Sequence, residues 1–160
     1  MTPNEMTLAG LTRSSWILHQ LLDDLTSAEW LTSAVPGSNS IAWTVAHLAA
    51  VEWNALKTMG VAARPELPDA DFFARHTKGA KPSPTENYGD PKSLLVLWDA
   101  VRASTVKFVT DLPAADFDNP LPHPLFKRWG ELLMLLPSHT SLHAGQISTA
   151  RRALGKPAAF

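Results

Sequence analysis

The sequence predicts an all-α protein built as a four-helix bundle. Four stretches repeat apolar residues at intervals of three and four, the mark of a helix with one buried stripe. Capping residues, prolines and glycines fall at the ends of those stretches, and no run alternates apolar and polar residues long enough to compete as a strand. At 160 residues and 17.4 kDa, the chain fits one domain spanning residues 1–160, with a core that needs no covalent staple.

Thr2-Pro3-Asn4-Glu5 combines a capping box with proline at the first helical position. Leu8, Leu11, Ser15, Leu18, Leu22 and Leu25 then carry the stripe of a first helix, to about Asp24. Thr26-Ser27-Ala28-Glu29 repeats the capping-box pattern and predicts a short helical turn through Thr32, broken at Pro36-Gly37. Ser38, Asn39 or Ser40 caps a second helix whose apolar arc is Ile41, Thr44, Val45, Leu48, Val51 and Ala55, stopping at Met59-Gly60. Residues 61–90 hold Pro65, Pro68, Pro82, Pro84 and Gly79 with little periodicity beyond a short turn around Asp71 to Ala74. A connection this long implies a crossover between parallel second and third helices, a covering loop, or both. Asp90-Pro91 opens the third helix, which carries Leu94, Leu97, Trp98, Val101, Phe108 and Val109 and closes near Leu112-Pro113. A second proline-rich connection leads to the fourth helix, Gly130 to Gly155. Pro137 lies inside that stretch, and its ring clashes with the Leu133 carbonyl. The helix therefore kinks near Leu133 or starts later.

Composition excludes several function classes. The net charge is −1 and Lys and Arg are scattered, so no basic face suits nucleic acid. Cysteine is absent, which removes disulfides, zinc–thiolate sites and a cysteine nucleophile. The first residues carry no basic segment with an apolar core, and no apolar run approaches the ~18 residues of a membrane span. The expected location is cytoplasmic, with no membrane partner.

The fourth helix carries the chemistry. At about 100° per residue, His139 and His143 sit about 40° apart on the apolar stripe of Leu132, Leu135, Leu136, Gln146, Ile147 and Ala150. Dry imidazole nitrogens without partners cost about 1–3 kcal/mol each, and a metal ion is a partner that two rings at i and i+4 can share. With 6 histidines in 160 residues, chance alone yields roughly 0.2 such pairs, so the spacing by itself is a weak signal. His47, on the shoulder of the second helix's arc, offers a third ligand. The sequence has neither Glu-x-x-His nor HExxH, which leaves an all-histidine mononuclear site suited to zinc, nickel or ferrous iron. The other reading of the residues is a set of core histidines satisfied by hydroxyls, carbonyls or water.

Neighbouring residues supply further candidates. His19, at the edge of the first stripe, reads either as a boundary histidine or as a candidate ligand or acid/base group that could reach the same cavity. Gln146 lies three residues after His143 on the same face and could bond a metal ligand or bound water, or serve packing or a structural hydrogen bond. Gly145 is expected to let helices approach closely, and Trp43 to pack in the core or wall a pocket. His76 and His123 fall in the connections and are expected to be solvated. Ser138, Thr140 and Ser141 lack a base or oxyanion partner.

SIAWTVAHL in the second helix, HTSLHAGQISTARRALG in the fourth and LTSAEWLTSAVPGSNSIAW between the first two helices together resemble the DinB-like superfamily, which includes YfiT-like metalloenzymes, bacillithiol transferases and mycothiol-dependent maleylpyruvate isomerases. The resemblance covers nearly the whole chain. It implies up-down-down-up helix order and a divalent metal on His47, His139 and His143. Two functions follow as expectations. One is an enzyme whose metal activates a small-molecule thiol or water, as a transferase, isomerase or hydrolase, with a low-molecular-weight thiol as possible co-substrate. The other is a non-catalytic, stress-related bundle with a structural or vestigial metal. The resemblance also implies a homodimer.

Overall fold

The computed structural model describes residues 1–61, 67, 69, 71–80 and 86–160. Pro65, Pro68, Pro82 and Pro84 of the expected crossover lie outside those residues. Seven helical segments are found among them: α1 (Pro3–Leu22), α2 (Ser27–Trp30), α3 (Ile41–Thr58), α4 (Phe72–Arg75), α5 (Ser93–Asp111), a 3-10 turn at Ala114–Asp118, and α6 (Trp129–Ala153). There is no strand among the described residues, only two isolated bridges, Ser33 with Ser40 and Pro120 with Arg128. Among the described residues, no helix is long and apolar enough to cross a membrane.

Local signals set the helix ends. Thr2 Oγ1 accepts from the Glu5 amide while Glu5 accepts from the Thr2 amide, and Thr26 and Glu29 form the same reciprocal pair. Of the three candidate caps for α3, Ser40 does the work, its hydroxyl accepting from the Trp43 amide at 3.1 Å. Gly60 and Gly155 adopt φ of +90° and +75°. Each closes its helix with paired bonds back to the last turn: Val61 to Leu56 and Gly60 to Lys57, then Lys156 to Arg151 and Gly155 to Arg152, the Schellman arrangement. α6 is one continuous helix through Pro137, so the late start is not what occurs. The 3-10 turn in the second connection was not foreseen; it buries Phe117, against whose backbone Gly130 is pressed.

Specific bonds fix the bundle's order. Asn4 at the start of α1 donates to the Val109 and Leu112 carbonyls, 2.7 and 2.8 Å away, so α1 is antiparallel to α5. Gly10 faces Pro137, and Arg151 donates to the Leu21 carbonyl at 2.9 Å, so α1 is parallel to α6. The α3–α6 seam pairs Ile41 and Thr44 with Ile147 and Ala150 at one end, and Val51 and Ala55 with Leu132 and Leu135 at the other, so these helices are antiparallel. α3 and α5 therefore run the same way, which gives up-down-down-up and requires the long crossover.

At the bundle's middle, Arg102 of α5 donates to both carboxylate oxygens of Glu52 in α3 at 2.7 and 2.8 Å, to the Leu11 carbonyl and Ser14 hydroxyl of α1 at 2.9 and 3.0 Å, and to Thr140 of α6 at 2.9 Å. Its guanidinium lies 4.6 Å from the Trp98 ring centroid. Arg102 and Glu52 are buried, and a buried charge is tolerated only when its partners are this complete.

Candidate metal centre

α3 and α6 deliver the histidines because their stripes face each other across one seam. His139 and His143 are one turn apart on α6, their ring centroids 4.5 Å apart, and His47 from α3 lies 5.1 and 5.0 Å from them. One ring nitrogen from each of the three falls within 4.8 Å of the others. His47 and His143 are buried at 6% and 9% exposure, and His139 is half-buried.

Two of the three outward nitrogens are tied down. His47 Nδ1 donates to the His76 carbonyl at 2.6 Å, and its ring stacks on Trp43 with centroids 5.0 Å apart. His143 Nδ1 donates to Gln146 Oε1 at 2.7 Å. With Nδ1 carrying the proton, Nε2 of each ring keeps its lone pair for the cluster's interior. Burial foremost pushes all three imidazoles below their ordinary value; for His139, burial with the proximity of His143 and His47 brings it to about 4. All three are neutral at neutral pH, the form that binds metal. The residues fit a divalent ion. Nitrogens bound at about 2.0–2.1 Å to one ion stand about 3 Å apart, and His139 Nε2 is 3.0 Å from His143 Nε2.

The remaining candidates sort as follows. Gln146 bonds a cluster histidine, as its spacing allows. His19 pairs instead with Asp99 of α5 at 2.8 Å, both side chains about half exposed at 43% and 45%, and takes no part in the cluster. His76 corrects the expectation of solvation: it is 1% exposed, and its carbonyl holds His47. No signal in the sequence could reveal this, because the group involved is backbone. His123 is half-buried in a turn, its Nδ1 accepting from the Leu125 and Phe126 amides. Gly145 is also corrected, since it is exposed and a Cβ there would meet nothing within 4 Å. The glycine at a close helix approach is Gly10, whose added Cβ would lie 3.3 Å from Pro137. Ser138, Thr140 and Ser141 each donate to the carbonyl four residues back, as helical hydroxyls without a catalytic partner do. Two cavities lie along the α3–α6 seam, one toward each end, and none of the three histidines lines either. One of 410 Å³ includes Thr44 and Gln146, and one of 250 Å³ includes Val51, Leu135 and Thr77.

Comparison with known proteins agrees with this architecture. No curated protein matches the chain. Among solved structures, YfiT from Bacillus subtilis, described as "a probable metal-dependent hydrolase with an unusual four-helix bundle topology", is similar over 96% of this chain and 89% of its own, at 18% identity and a TM-score of 0.67. The model of the DinB superfamily matches residues 11–147. On that match, and with the bundle order and histidine cluster in place, the chain belongs to the DinB superfamily.

Proposed function

We propose that His47, His139 and His143 hold one divalent ion, and that the protein is a metal-dependent enzyme activating water or a low-molecular-weight thiol for attack on a small-molecule substrate. The observation that supports it is the convergence of three neutral imidazoles, two buried and one half-buried, two of them fixed from behind by hydrogen bonds. A divalent ion there would stabilise a deprotonated nucleophile at neutral pH. The chain's own groups orient two of the ligands through the His76 carbonyl and Gln146 and keep all three unprotonated by burial. Three neutral ligands leave the ion's charge uncancelled, which favours an incoming thiolate; the chain has no cysteine to supply one. Zinc, nickel and ferrous iron all suit imidazole.

Elemental analysis after loading with each metal is expected to find about one ion per chain, falling steeply in His47→Ala, His139→Ala and His143→Ala. Full occupancy in His47→Ala would refute the three-histidine site. Loaded protein is then assayed for addition of bacillithiol, mycothiol or glutathione to an electrophile, and for thiol-free hydrolysis of esters and amides. Activity in the first assay, lost in His143→Ala, identifies a thiol transferase; activity in the second identifies a hydrolase. Silence in both, with metal and fold intact, would support a non-catalytic bundle. We further propose a homodimer, for which light scattering is expected to give twice 17.4 kDa; a mass of one chain would exclude it.

A further inference from the structure

The crossover segment contains a buried histidine that the proposed chemistry does not use. His76 ends the short α4 turn and is almost fully enclosed at 1% exposure. Its ring nitrogens are both engaged: Nδ1 donates to the Phe72 carbonyl at 2.7 Å, and Nε2 lies 3.1 Å from the Tyr88 hydroxyl. The ring also packs on Phe72, centroids 4.5 Å apart, while Phe73 stacks on Trp53 of α3. Outside this knot, Arg75 holds Asp69 through two bonds of 2.8 Å and Glu86 through one of 3.0 Å. Together these bonds pin both sides of the described crossover to one spot on α3. The product of the arrangement is a buried acceptor, the His76 carbonyl oxygen, set 2.6 Å from His47 Nδ1.

We propose that the segment Phe72–Thr77, locked through His76 and Tyr88, is the positioning element of the metal centre, so that docking of this segment and loading of the metal form one coupled equilibrium. The proposal rests on the three-histidine reading. A backbone carbonyl cannot be replaced by mutation, but it can be loosened. A ligand histidine whose Nδ1 partner wanders loses its fixed tautomer and orientation, and partners of this kind typically contribute about 10–100-fold to metal affinity. Coupling is reciprocal. If the docked segment favours the metal, the metal favours the docked segment. His76 and Tyr88 thus act through His47, and neither is a ligand.

The test uses the full chain. Zinc affinity is measured by competition with a chromophoric chelator for wild type, Tyr88→Phe and His76→Ala, and amide hydrogen exchange of residues 72–77 is measured with and without zinc. Tyr88→Phe removes one hydroxyl from a folded protein and is expected to weaken zinc binding about ten-fold, with the thermal midpoint of the zinc-free protein nearly unchanged. His76→Ala is expected to weaken it further. In wild type, zinc slows exchange across 72–77 more than across the distant α1–α5 seam, and in His76→Ala that difference disappears. Zinc affinities within two-fold of wild type in both variants, or exchange at 72–77 indifferent to zinc, would overturn the proposal and leave the three-histidine site standing. Failure of wild type to bind zinc, nickel or ferrous iron would overturn both.

Discussion

Burial decides the behaviour of each histidine in the bundle. His47, His76, His139 and His143 are all pushed below the ordinary value of 6.5, with burial the first cause in every case. The unfolded chain regains that ordinary value, so below pH 6.5 it binds protons that the metal-free fold takes up only at lower pH, His139 near pH 4. Stability contributed by these neutral side chains is complete above pH 6.5 and is lost as pH falls toward 4. The thermal midpoint of the metal-free protein is therefore expected to be flat from pH 8 to 7 and to fall steadily from 6.5 to 4. A flat profile across the lower range would contradict the buried, neutral cluster. At this scale the sequence was readable where a side chain's position on a stripe determines its fate, as for His139, His143 and Gln146. It was unreadable for His76, which lies in a connection without periodicity and acts partly through its backbone, and for His19, whose partner Asp99 comes from 80 residues away.

Among the elements, α6 has the most unusual composition, with a proline and two glycines in 25 residues. Each has a different consequence. Pro137 packs on Gly10 of α1, so Gly10→Val is expected to force these helices apart and to destabilise by about 1–3 kcal/mol, measured by denaturant titration. Gly145 carries no such constraint. Glycine in an open helix interior is worse than alanine by about 0.5–1 kcal/mol, and Gly145→Ala is expected to raise stability by that amount. No gain would mean that the exposed face of α6 is covered in solution. Element boundaries were legible to within a few residues because capping is local: Thr2, Thr26, Gly60 and Gly155 do what their neighbours in sequence dictate. α5 departs most at its start. The Asp90-Pro91 signal makes a turn, with Ser93 donating to the Asp90 carbonyl at 2.8 Å, and the helix begins at Ser93.

For the whole molecule, the centre of gravity is the Arg102 network, and no periodicity in the sequence announced it. Arg102 sits on the side of α5 that a stripe of Trp98, Val101 and Val109 assigns to the core, and Glu52 likewise among the apolar residues of α3, yet each reads locally as a stray charge. Their pairing requires the tertiary structure. Arg102→Ala leaves Glu52 buried without its partner and is expected to cost about 3–5 kcal/mol. Replacing both, as Arg102→Met with Glu52→Leu, is expected to cost much less, and thermal denaturation of the two variants distinguishes these outcomes. Equal losses would show that Glu52 keeps water or another cation as a substitute.

The parallel course of α1 and α6 has a consequence for engineering. The start of α1 and the end of α6 face opposite ends of the bundle, a distance of about 30 Å for a helix of 20 residues at ~1.5 Å per residue. Circular permutation would need a bridge of about nine fully extended residues running along the outside. In an up-down-up-down bundle a short turn would suffice. The three histidines lie near mid-bundle, beside Thr140 of α6, so a fusion partner joined ahead of α1 or after α6 stands about half a helix length from them, on the order of 15–20 Å at ~1.5 Å per residue.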